Sequence, residues 1–130
     1  MNKRKERGHA LIELALLLPI LTTLLIGVVE VGNALNAYLS ISEASRECAR
    51  LIVRKGPSSD YYGVAQTLTT RLPSSSLQVN PMYGTDFKGN QKVTVRVTYA
   101  YRFIFANFPI LCHIFPEQFT LTAQTTMPIP

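Results

Sequence analysis

The sequence predicts an α+β fold: a long N-terminal membrane-spanning helix packed on a small antiparallel sheet, with a short second helix. Three observations carry this reading. An apolar run fills residues 10–29, an amphipathic pattern continues from it to about Lys55, and Val93, Val95, Val97 and Tyr99 alternate with Thr94, Arg96, Thr98 and Ala100.

The run from Ala10 to Val29 holds Glu13, Pro19, Thr22, Thr23 and Gly27 but no second charge. At a rise of about 1.5 Å per residue it spans about 30 Å, the thickness of a bilayer core. Lys3, Arg4, Lys5 and Arg7 precede it. The bias of basic residues toward the cytoplasmic side then sets Met1 inside and the bulk of the chain outside. A buried helix of a soluble protein is one alternative, and a cleaved secretory signal is another. The apolar middle of such a signal is usually about 7 to 15 residues long, and the run here is longer. Gly32 and Ala34, after Glu30, imitate a small-residue cleavage site poorly. No Cys ends the run, so a lipoprotein anchor is not supported.

Beyond Val29 the helical pattern is expected to continue to Lys55 and stop at Gly56-Pro57. On a helical wheel Ala34, Ala37, Ile41, Ala44, Cys48, Leu51 and Ile52 share one side, and Asn36, Glu43, Glu47, Arg50 and Arg54 share another. The charged stripe reads as a solvated face with i,i+3 support, an electrostatic partner surface being the alternative. Small residues on the apolar side permit close approach of a sheet or another helix.

From Gly56 the composition changes, with more Pro, Ser, Thr and Tyr. Ser58-Ser59-Asp60 can cap a short helix holding Tyr61, Tyr62, Val64, Ala65, Leu68 and Leu72 and closed by Pro73. Leu77 to Asn80 is expected to pair as a hairpin with a strand over residues 90–102, across a turn-rich connection from Gly84 to Asn90. A third strand is expected from Phe119 to Met127, with Phe119, Leu121, Ala123 and Thr125 on one side. Strands with one apolar face need a cover, which the amphipathic end of the first helix can supply. The apolar and aromatic segment from Phe103 to Phe115 fills the core, touches the membrane or meets a neighbouring subunit; the sequence leaves these open.

Cys48 lies on the helix and Cys112 in that segment. In an oxidising compartment a Cys48–Cys112 disulfide would tie helix to sheet, typically contributing about 2 to 4 kcal/mol. Two buried free thiols are the alternative.

The residues from Arg7-Gly8-His9-Ala10-Leu11-Ile12-Glu13 into the apolar run resemble the leader and first turn of a type IV prepilin. With Pro19 in the span, Glu30-Val31-Gly32 after it and Ala44-Ser45-Arg46-Glu47-Cys48-Ala49-Arg50, the first 55 residues are similar to TadE-like pseudopilins of the tight-adherence (Flp-type) pilus system. The resemblance implies that a membrane prepilin peptidase cuts between Gly8 and His9, making Glu13 the fifth residue of the mature chain. It further implies that Glu13 pairs with the amino terminus of a neighbouring subunit. Physically, a carboxylate in a low dielectric strongly favours a nearby cation. Snorkelling of Glu13 to the cytoplasmic interface is the other reading. Two positions differ from the common pattern: His9 is polar where mature pilins usually begin apolar, and Leu14 stands where an aromatic often follows the Glu.

The organisation expected is a cytoplasmic leader (residues 1–8), a transmembrane helix (9–30), an amphipathic extension (31–56) and a small periplasmic α+β domain (57–130). Partners implied are the prepilin peptidase, other pilin and pseudopilin subunits, an inner-membrane pilus assembly platform and membrane lipid. The bacterial inner membrane is the expected location, with incorporation into a pilus open.

Other function classes have little support. His9 and His113 are the only histidines, and the outer acids Asp60, Asp86 and Glu117 show neither paired nor metal-ligand spacing. No catalytic residue, metal or cofactor is expected. Of the net charge of +5, residues 1–8 carry +3, so no basic tract remains outside to bind nucleic acid. The expected role is a minor pilin-like subunit that assembles or primes the pilus; a major structural pilin and an unprocessed signal-anchored binding or scaffold protein are the rivals.

Overall fold

The computed structural model describes residues 3–73, 76–104 and 118–130. Its elements run α1 (Lys3–Lys55), α2 (Tyr61–Leu68), β1 (Leu77–Thr85), β2 (Gln91–Arg102) and β3 (Gln118–Pro128). Contacts divide the chain into two units, Met1–Asn33 and Ala34–Pro130.

The first unit is helical. From Leu11 to Val31 its large apolar side chains are exposed, apart from half-buried Ile26, a pattern that suits contact with lipid. Pro19 lies inside the helix and cannot donate to the carbonyl four residues back. Around it the Thr22 hydroxyl donates to the Leu18 carbonyl (2.7 Å) and the Thr23 hydroxyl to the Pro19 carbonyl (2.8 Å). Both polar side chains are thereby satisfied within the helix, which a hydrocarbon environment demands.

The second unit is an α+β domain whose core lies between one side of α1 and one face of the sheet. Ala37, Ile41, Ala44, Cys48, Ala49 and Ile52 from the helix join Leu77, Val93, Val95, Val97, Tyr99, Tyr101 and Ala123 from the strands. The run of small residues Ala37, Ala44, Cys48 and Ala49 lets the helix backbone approach closely, while Ile41 and Ile52 fill the space between sheet side chains. Compared with the helical wheel, Ser45 and Ala49 are buried, while Leu51 is only half-buried. Glu47 and Arg50 form an ion pair at 3.5 Å on the open side, in the i,i+3 spacing.

The helix stops where expected. The Gly56 N–H reaches back to the Ile52 carbonyl (2.8 Å), and φ of +88° at Gly56 is one that a side chain would strain. Asp60 then caps α2 by accepting from the Gly63 N–H at 3.0 Å. α2 is shorter than expected, because the Thr69 hydroxyl and N–H both close on the Ala65 carbonyl (2.7 and 3.0 Å) and end it before Leu72. Leu72 still packs against the core from the turn that follows.

The sheet is antiparallel in the order β1-β2-β3. Leu77 opposes Tyr99 and Thr85 opposes Gln91 in the first pair; Lys92 opposes Pro128 and Arg102 opposes Gln118 in the second. β1 runs five residues beyond Asn80, so the connection is tighter than expected. Asp86 N–H donates to the Asn90 carbonyl and Gly89 N–H to the Asp86 carbonyl, both at 2.8 Å, with Gly89 at φ +80°. This is a three-residue hairpin loop with glycine in the left-handed position.

Candidate functional site

Gly8, His9 and Glu13 all lie on α1, in the first unit. His9 and Glu13 are exposed and Gly8 is half-buried. A Cβ added at Gly8 would meet nothing within 4 Å. The Gly8–His9 bond lies within the helix, where extending the chain locally carries a conformational cost. Glycine lowers that cost, being less favourable in a helix than alanine by about 0.8 to 1.0 kcal/mol. Glu13 shares its helix face with exposed Leu16 and Leu17, a carboxyl group set beside lipid-compatible side chains.

In the sequence Glu30 belongs to the Glu30-Val31-Gly32 pattern that follows the apolar run. The structure places it at 8 % exposure, the one buried residue among the described residues of the first unit. Its position after the apolar run carries no periodicity that would mark it as buried. Among the described residues one helix is long and apolar enough to cross a membrane.

In the second unit Cys48 is a free, fully buried thiol. It donates to the Tyr61 carbonyl at 3.1 Å, joining α1 to the first residue of α2. Burial foremost, then the nearby Glu47 carboxylate, push the thiol up to about 11, against a lowering backbone hydrogen bond from Ala65. Such a thiol is neutral at physiological pH and a poor nucleophile. Its candidate partner Cys112, His113 and most of the apolar segment over residues 103–115 lie outside the described residues.

The face of the sheet turned from the core is mostly polar, with exposed Met82 as its large apolar side chain. Lys92, Arg96 and Arg102 on β2 stand among Gln78, Asn80, Thr120, Thr122, Gln124 and Thr126, with no acidic side chain on the strand positions of that face. Thr94 and Thr126 share a hydrogen bond at 2.9 Å, and Arg96 donates to Gln124 at 3.3 Å. These cross-strand pairs brace the sheet. A shallow cavity of about 250 Å³ is lined by Gln66, Thr69, Thr70 and Leu72, a set without an acid, a base or an activated nucleophile. Among the described residues no three His, Cys, Asp or Glu side chains gather as a metal ion requires. What the arrangement offers chemically is recognition and packing: an apolar helix with one carboxyl near its start, and a small folded domain.

No curated protein and no solved structure matches the chain. The model of the family described as TadE-like protein matches residues 8–50, from Gly8 through Glu13 and the apolar run to Arg50 on the domain-packed end of α1. Over that stretch, which begins at Gly8 and leaves the strands outside, this chain is similar to TadE-like proteins.

Proposed function

We propose that the chain is a minor pilin-like subunit, a pseudopilin, that assembles or primes a tight-adherence type IV pilus. The observation that carries this reading is the family match beginning at Gly8 and including Glu13. It is supported by an exposed apolar helix that suits a membrane anchor and by a folded α+β unit following it. In this reading a prepilin peptidase removes residues 1–8, and the new amino group at His9 becomes available to a carboxylate of another subunit. Glu13, disfavoured in lipid when alone, then becomes a register mark between neighbours. Residues 1–8 stay on the cytoplasmic side of the inner membrane, and the α+β unit is periplasmic. Other pilins and the membrane assembly platform are the partners.

Mass spectrometry of the chain coexpressed with the peptidase tests the reading. A terminus at His9 is expected. An intact Met1, or a cut after Ala34, overturns it. Stoichiometry in isolated filaments separates the roles: a trace amount fits a minor subunit, and equimolar repetition along the filament makes it a major pilin.

A further inference from the structure

The two edges of the sheet are not equivalent, and the register shows why. Asp86 N–H bonds to the Asn90 carbonyl, so the even-numbered residues of β1 face β2 with their backbone groups. Its odd-numbered residues, Val79, Pro81, Tyr83 and Thr85, therefore point theirs outward. Pro81 has no N–H and stands in the middle of that outward row, so it costs the ladder no bond and interrupts the open edge.

On the other side Ile129 N–H bonds to the Gln91 carbonyl, so the odd-numbered residues of β3 are the ones bonded to β2. The N–H and C=O groups of Thr120, Thr122, Gln124 and Thr126 then point away from the sheet in an unbroken row. Gln118–Pro128 contains no charged residue, and no proline before Pro128. Among the described residues no further strand pairs with β3. Natural edges are commonly guarded by charge, proline or a bulge, and among the described residues only β1 carries such a guard within the strand.

We propose that the outer edge of β3 receives β3 of a second copy of this chain, antiparallel, giving one sheet that continues across a two-fold axis at Ala123. The strand is complementary to itself in that register. Thr120 opposes Thr126 of the other copy, and Thr122 opposes Gln124, with four outward-facing residues from each copy exchanging backbone hydrogen bonds. No like charges meet. On the core side Phe119, which is 52 % exposed, comes opposite Met127 of the other copy, extending the apolar face across the junction. β1 is unsuited to this role because Pro81 leaves a gap in its donors. The inference rests on the sheet alone and does not depend on processing at Gly8.

Sedimentation of the full chain in detergent micelles, with two-tag capture after coexpression, tests it. The wild-type chain is expected to dimerise. Thr122→Lys with Gln124→Lys, which sets lysines opposite one another twice, should weaken self-association at least tenfold. Thr122→Glu with Gln124→Glu should do the same, and coexpression of the two variants should restore a mixed dimer. A monomeric wild-type chain, a lysine variant that dimerises like wild type, or a mixture that fails to recover overturns the proposal. Hydrogen exchange on the wild-type chain supplies an arm without mutations. On dilution from dimer to monomer the amides of Thr120, Thr122, Gln124 and Thr126 should lose protection while those of Val79, Tyr83 and Thr85 stay fast throughout. Unchanged exchange along β3 overturns it equally.

Discussion

Ser45 Oγ on α1 lies 2.7 Å from Thr125 Oγ1 on β3, a polar contact that fastens the helix to the sheet beside a mostly apolar core. Ser45 Oγ is also 2.9 Å from the Ser42 carbonyl, to which it donates its single proton. Thr125 must therefore donate to Ser45. Ser45→Ala leaves the Thr125 hydroxyl facing a buried alanine and is expected to destabilise the domain by about 1 to 3 kcal/mol. Thr125→Val in the same chain should recover part of that loss, since both polar partners are then gone. Denaturant unfolding of the two single variants and the double variant reads the coupling; additive losses would show that the hydroxyls do not interact.

Burial divides the apolar side chains of α1 into two kinds. Ile41 is fully buried between helix and sheet, whereas Leu16 is 68 % exposed. Ile41→Ala should cost about 2 to 5 kcal/mol of domain stability through lost transfer energy and the cavity left behind. Leu16→Ala should leave domain unfolding unchanged and weaken only partition into membrane. Thermal unfolding in detergent, beside a carbonate extraction of membranes, separates the two effects. Equal destabilisation by both would contradict the division of the chain into these units.

The Cys48 thiol gives a pH dependence with a defined sign. Its ordinary value of 9.0 is raised to about 11 in the folded chain, by burial first and by Glu47 second. The unfolded chain loses this proton at lower pH, so the contribution to stability is complete below about pH 9 and is lost as pH rises through about 11. A shift of this size corresponds to about 2 to 3 kcal/mol. Tyr99, whose phenol is also raised by burial, titrates in the alkaline range too, so the thiol is followed by thiolate absorbance and not by stability alone. In reduced protein at pH 8, Cys48 should react with a thiol reagent only after denaturant is added. Rapid labelling in native buffer would place it at the surface.

Much of the fold is legible in the sequence because single-residue periodicities report single faces. Val93, Val95 and Val97 alternate strictly, and all three are fully buried; Gly56-Pro57 ends α1 where its chemistry requires. β1 was legible only to Asn80, since Pro81 reads as a breaker until the register shows its ring nitrogen on the open edge. Ser45 was missed on the buried side because its polarity hides a position whose partner, Thr125, is 80 residues away. The difference between the two sheet edges was likewise invisible, because it depends on which parity of each strand faces β2. At the N-terminus, motif spacing marks Gly8, His9 and Glu13 as candidates, and the structure adds that all three are helical, with His9 and Glu13 exposed. Glu30 was readable as a pattern but not as buried, since a lone acid after an apolar run carries no facing signal.

Glu13 offers the most direct test of the proposed function. It is exposed one turn from Leu16 and Leu17, so in lipid its charge hinders insertion, at a cost that for charged residues reaches about 2.5 to 3.5 kcal/mol at a helix centre. Glu13→Gln and Glu13→Ala should therefore insert at least as well as the wild-type chain and, on the proposed reading, should be cut after Gly8 as the wild type is. If the carboxylate pairs with the amino terminus of another subunit, both variants should lose incorporation into filaments by an order of magnitude or more, and Glu13→Asp should retain part of it. Membrane fractionation, terminal mass spectrometry and filament yield read the three steps separately. Loss of insertion would make Glu13 a topological residue, and unchanged filament yield with correct insertion would remove its pairing role altogether.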